Sequence, residues 1–308
     1  MTEPLDDFIP RELDPPLSDI LNQFSTWIDE LVNFGSLIVK WYIEEKAIKD
    51  EDLPALLFLR NFIEQIDAIS ILIAKSGVEP CKTLLRTGVE NLLYLEYLTE
   101  KETYNRSMAF LVWNCVNNNK NLERLDSSSE KYKNIEALYL KDKLMKDAKP
   151  ASFPLAAHLL SIGEAMLVSP KYMPIKAEYD LTRKKLKNNM SWYSLFDGPR
   201  NIKELAEKLN HFVLYDSAFR NYSASTHGVD ILQGKLKGET NEDLGLLQIR
   251  SPQNAQNIVQ FCFNFCFMVY SNFIEKILPE KNNEYKEWRL NIREVHMKLC
   301  QTKFIDPK

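Results

Sequence analysis

Glycine is scarce in this chain: nine glycines and fourteen prolines punctuate 308 residues. That is too few turn formers for the many short strands of a sandwich or barrel. Strict apolar/polar alternation is also lacking, whereas apolar residues recur at three- and four-residue intervals over long stretches, so the fold class predicted is all-α. No GxGxxG, GxxxxGK[ST] or HExxH occurs, which removes the dinucleotide fingerprint, the P-loop and the zincin helix. The five cysteines form no CxxC pair, and they read as thiols in a reducing cytosol. Four scattered histidines, His158, His211, His227 and His296, argue against a three-histidine metal centre, so neither metal nor cofactor is expected.

Long hydrophobic runs are missing too. The most apolar segment, Ile258–Tyr270, is 13 residues long and its surroundings are broken by Gln260, Asn264 and Asn272, which predicts a core helix and no membrane span. The acidic, Pro-rich start, MTEPLDDFIPRELDPPLS, has neither the basic start nor the apolar run of a signal peptide, so a cytoplasmic protein is expected. A net charge of -4 excludes indiscriminate coating of nucleic acid. Any RNA site must be local.

What is present is material for a large core, 45% of residues being hydrophobic. An extended arm over 1–17 leads into helices at about 18–46, 52–77, 80–101, 103–125 and 130–149, the last opened by Ser127 and Glu130 at capping-box spacing. Prolines 150, 154, 170, 174 and 199 mark an excursion at about 148–201, with short helices at 155–167 and 175–187. The second is basic through Lys176, Arg183, Lys184, Lys185 and Lys187, and reads as a solvated face. A long helix follows at 205–232, then a glycine-bearing loop or small hairpin at 234–254, and helices at 252–278 and 280–303. The architecture predicted is a single helical domain over 18–308 with about eight to ten helices.

The 205–232 stretch carries most of the reactive side chains. At ~100° per residue, Asp216, Arg220, Ser223 and His227 fall on one stripe, and Phe212, Tyr215, Phe219 and Tyr222 form an aromatic stripe beside it, the predicted packing face. Histidine moves protons near neutral pH and arginine stabilises phosphate charge, so Arg220 and His227, with Asn221 directly after the arginine, suit RNA cleavage without a metal. Arg289 and His296 have the same spacing but are followed by Leu290, and they read as an exposed face of the last helix. Farther back, Arg86 and Glu90 lie at i, i+4 amid Leu84, Leu85, Val89, Leu92 and Leu93, so they need polar company from another helix if buried. Ser223 beside His227 has no GxSxG elbow, which disfavours a serine hydrolase.

The Arg220-x6-His227 spacing resembles the R-x(4-6)-H motif of HEPN ribonucleases. That resemblance implies a HEPN-like helical bundle core and a homodimer, because HEPN enzymes commonly pair their motifs across a dimer. LLRTGVENLLYLEYL at 84–98 and HFVLYDSAFRNYSASTHG at 211–228 together resemble the bacterial family called domain of unknown function 5677. Its Arg-x3-Glu helix and its Tyr then Ser-x3-His helix match Arg86, Glu90, Tyr215, Ser223 and His227, implying that Arg86, Glu90 and His227 meet in space.

The expected function is a metal-independent endoribonuclease of a bacterial toxin or phage-defence system. His227 acts as acid/base, Arg220 stabilises the phosphate, and Asn221 and Asp216 orient them. Tyr215, Ser223, Arg86 and Glu90 support. The alternative is a non-enzymatic helical module that binds a partner protein or small ligand, with Arg86, Glu90 and His227 as a buried cluster fixing helix register.

Overall fold

The computed structural model describes residues 5, 8–46, 48–187, 190–223, 236–237 and 245–305. Among these it is all-α apart from one two-stranded ladder. The chain forms two compact units, 1–101 with 205–308, and 102–204; the Pro-rich excursion at about 148–201 falls inside the second.

In the first unit, α1 (Pro15–Glu45), α2 (Leu53–Ala74) and α3 (Val78–Glu100) pack in sequence. Prolines at the starts of α1 and α2 sit where a helix needs no backbone donor, which is why α1 begins at Pro15 and not at Ser18. The remaining helices of this unit are α8 (Ile202–Lys208, whose last turn lies here), α9 over 212–223, α10 (Ala255–Ile277), α11 (Asn282–Asn291) and α12 (Arg293–Gln301). α10 packs on both α1 and α3, and its Ile258, Val259, Phe263, Phe273 and Ile274 are fully buried. It is the one helix among the described residues long and apolar enough to cross a membrane by length and composition.

Polar contacts tie this core together. Tyr270 donates to the Leu31 carbonyl at 2.9 Å, and Gly35 lies so close that a Cβ there would overlap the Tyr270 hydroxyl. Thr99 donates to Asn272 at 2.9 Å, linking α3 to α10. Trp288 on α11 stacks on Phe34 with centroids 4.0 Å apart and donates to Glu30 at 2.8 Å. Cys81, Cys262 and Cys266 are free and buried, and burial pushes the Cys266 thiol up to about 12. The loop expected at 234–254 contains an antiparallel ladder, β1 (Leu236–Lys237) with β2 (Gly245–Leu246).

The second unit holds α4 (Thr103–Leu125), α5 (Glu130–Tyr139), α6 (Ala156–Val168) and α7 (Met173–Lys185). Met108, Val112, Val116, Leu167, Ile175, Tyr179 and Leu195 form its core. The cap of α5 is Ser129, whose hydroxyl accepts from the Tyr132 amide at 3.0 Å, and not Ser127. This helix ends at Tyr139, ten residues short of the expected end, where turns stabilised by the Asp142 carboxylate take over. On the basic α7, Lys176 pairs with Asp180 and Lys185 with Asp197, each at 2.6 Å.

Candidate functional site

The helix expected over 205–232 is interrupted. Its first part ends at Lys208, Asn210 takes a left-handed conformation with φ 61°, and the chain restarts at Phe212. Asparagine tolerates that geometry better than most residues, which is the local reason for the break. His211 occupies the joint, and its Nε2 lies 2.6 Å from Glu96 Oε2 on α3. Neither was singled out from sequence, because they are 115 positions apart and share no motif.

A second irregularity follows immediately. Tyr215–Arg220 is a π-helical turn, with hydrogen bonds one residue longer than in an α-helix. One extra residue in a turn rotates everything after it by ~100° relative to a straight helix. Asp216 and Arg220 point to solvent, 71% and 72% exposed, and pair at 3.2 Å. Ser223 turns inward to α3. The predicted stripe of Asp216, Arg220 and Ser223 is therefore split between two faces. The aromatic stripe is also uneven: Phe219 is buried, Tyr215 and Tyr222 are half-buried, and Phe212 is exposed.

Arg86 is the centre of the inward face. Its Nε donates to Ser223 Oγ at 2.9 Å, its Nη2 lies 3.3 Å from Glu90 Oε1, and its guanidinium sits 4.4 Å from the Phe219 ring centroid. Tyr215 stacks on Phe219 from the same helix at 5.3 Å. Ser223 passes the bond on, donating to the Phe219 carbonyl at 2.6 Å. The side chains of Arg86 and Glu90 are 19% and 25% exposed, so the pair is largely desolvated. Burial pushes the Glu90 carboxyl above its ordinary range, and the Arg86 charge pulls it partly back. Burying an arginine amid leucines demands such partners, and the polar company expected from another helix is supplied to Arg86 by Ser223, within the 205–232 stretch.

Of the sequence-predicted residues, Arg86, Ser223 and Tyr215 thus meet at Phe219, and Glu90 joins them through Arg86. Arg220 and Asp216 stand outside on the same helix, and Asn221, also exposed, donates to the Ser217 carbonyl at 3.0 Å. His227 lies outside the described residues, and with it the expected meeting with Arg86 and Glu90. Among the described residues no group of three or more His, Cys, Asp or Glu side chains converges as metal ligands would.

One expectation needs correction. Arg289 and His296 are not an exposed face: both are half-buried, with His296 stacked on Phe263 at 5.4 Å and Arg289 3.3 Å from the centroid of Phe267. The reason is a change of helix between them, since α11 ends at Asn291 and α12 begins at Arg293, so the seven-residue spacing does not follow one cylinder.

No curated protein and no solved structure matches the chain. Residues 52–243, a span that holds Arg86, Glu90, Tyr215, Ser223 and His227, match the family of unknown function DUF5677, and the chain belongs to that family.

Proposed function

We propose that this protein is a metal-independent endoribonuclease with a HEPN-like helical core, acting in the cytoplasm as a homodimer in a toxin or phage-defence setting. The observation that carries the reading is the hydrogen bond from Arg86 to Ser223, which anchors the helix four residues before His227 to a largely desolvated charged centre. One turn back, Arg220 stands in solvent, paired among the described residues with an i, i+4 carboxylate that a phosphate can replace.

In this mechanism the ribose 2′-oxygen attacks the adjacent phosphorus and His227 takes its proton. Arg220 stabilises the charge on the phosphoryl oxygens, the bond to the 5′-oxygen breaks, and that oxygen receives a proton. The products are a 2′,3′-cyclic phosphate and a 5′-hydroxyl. His227→Ala and Arg220→Ala are each expected to lower RNA cleavage by ~10²- to 10⁴-fold without unfolding the protein. Chelators are expected to have no effect. Cleavage that survives His227→Ala, or that needs a divalent metal, would falsify the mechanism.

A second reading draws on the same contacts. Arg86, Glu90, Ser223 and Phe219 satisfy one another, as internal scaffolding does, which favours a helical module that binds a partner protein or small ligand. A folded protein with no nuclease activity on any RNA tested decides for it.

A further inference from the structure

The second Arg-x6-His pair converges on one ring. Arg289 at the end of α11 and His296 on α12 come down on one ring of α10: the Arg289 guanidinium lies 3.3 Å from the Phe267 centroid, and the His296 ring meets Phe267 edge to face at 5.2 Å. They share a cavity of about 670 Å³ with Lys286 and Arg293. Among the described residues no carboxylate lines it. Arg289 Nη1 and His296 Nε2 are covered from solvent and have no hydrogen-bond partner among the described residues.

This is a costly arrangement for an empty site. A half-buried guanidinium without a counter-ion pays desolvation that no partner returns, and each unbonded nitrogen adds the penalty of an unmade hydrogen bond. A ring face beneath Arg289 returns part of it. The geometry points to an oxyanion site in this cavity, fitted to the phosphate monoester of a small organic molecule. The guanidinium fork matches two phosphate oxygens, and no carboxylate holds Arg289 back from turning towards the cavity. Lys286 and Arg293 supply the charge for a dianion. Leu290 and Met297, 65% and 42% exposed, form an apolar rim for the organic part. Burial and the Arg289 charge hold His296 below its ordinary pKa, so the imidazolium is disfavoured there.

The test is an imidazole-detected NMR titration of the full-length protein with inorganic phosphate and with phenyl phosphate, reading the four histidines separately. A saturable shift of His296, tighter for phenyl phosphate and independent of any response of His227, is expected. Arg289→Gln should weaken it at least about tenfold, Lys286→Gln and Arg293→Gln by a few-fold, and Arg220→Gln not at all. Unchanged signals from the other histidines show that each variant is folded, and Arg289→Lys, which keeps charge without the fork, should bind at an intermediate level. The absence of a saturable shift, or a shift that Arg289→Gln leaves intact, overturns the site. Equal affinity for the two phosphates, or a stronger response to a short single-stranded RNA, overturns its assignment to a small organic phosphate.

Discussion

Two arginines, each followed seven residues later by a histidine, end in opposite environments. Arg220 leaves a π-helical turn into solvent and finds Asp216, while the inward-facing neighbour Ser223 is taken by Arg86. Arg289 and His296 sit on two helices and still meet over Phe267, with Lys286 and Arg293 beside them and, among the described residues, no carboxylate in their cavity. Spacing alone therefore does not tell a face from a pocket. What separates the two arginines is the local backbone: Arg220 ends a π-helical turn that leaves it in solvent, and a change of helix axis after Arg289 brings it over Phe267 with His296.

The sharpest way to break the comparison is by activity. If cleavage belongs to the first pair, Arg289→Gln and His296→Gln should retain wild-type RNA cleavage while His227→Ala loses ~10²-fold or more, measured on one labelled RNA. Loss on the second pair and retention on the first would reverse the roles assigned here. Next in size are the rings beneath the cations. Phe263, under His296, is fully buried, and Phe263→Ala is expected to cost about 3–5 kcal/mol in denaturant unfolding.

A smaller effect tests the Arg86 centre. Glu90→Leu leaves a largely buried arginine without its carboxylate and is expected to cost roughly 2 kcal/mol, below the range for fully buried pairs because both side chains retain some exposure. Adding Arg86→Leu should recover much of that loss, and a double variant no more stable than the single one would show that Ser223 and Phe219 depend on the guanidinium itself. Arg220→Ala, at an exposed i, i+4 pair, should change stability by no more than about 0.5 kcal/mol.

The smallest effect is one of pH. The folded protein holds His296 below the 6.5 of a free imidazole, so the unfolded chain takes up a proton first as pH falls. The stability this group contributes is present above that value and is lost as pH falls through the folded pKa. The thermal midpoint of wild type should accordingly drop more between about pH 7 and about pH 5 than that of His296→Gln, and added phosphate should narrow the gap.

Much of this molecule was legible from local chemistry. The all-α class follows from apolar periodicity and scarce turn formers, the starts of α1 and α2 from prolines near their first turns, and the ladder at 236–246 from its glycine-rich surroundings. The charged pair in α3 announced its own need for company, since leucines surround it. Legibility failed where backbone geometry departs from an ideal helix. The break at Asn210 and the π turn at Tyr215–Arg220 have no period to read, and each displaces the face that every later residue presents. Arg289 with His296 escaped for the same reason, and His211 with Glu96 because 115 positions separate them.

By itself, then, the sequence determined which segments are helical and which charged side chains require partners, because helix formation and desolvation are governed by neighbours along the chain. Only the tertiary structure decided who those partners are. Ser223 and Phe219 complete Arg86, and Phe267 gathers Arg289 and His296, because α3, α10 and the helices packed on them bring together residues remote in sequence. A one-residue change of register in a single turn is enough to exchange one partner for another.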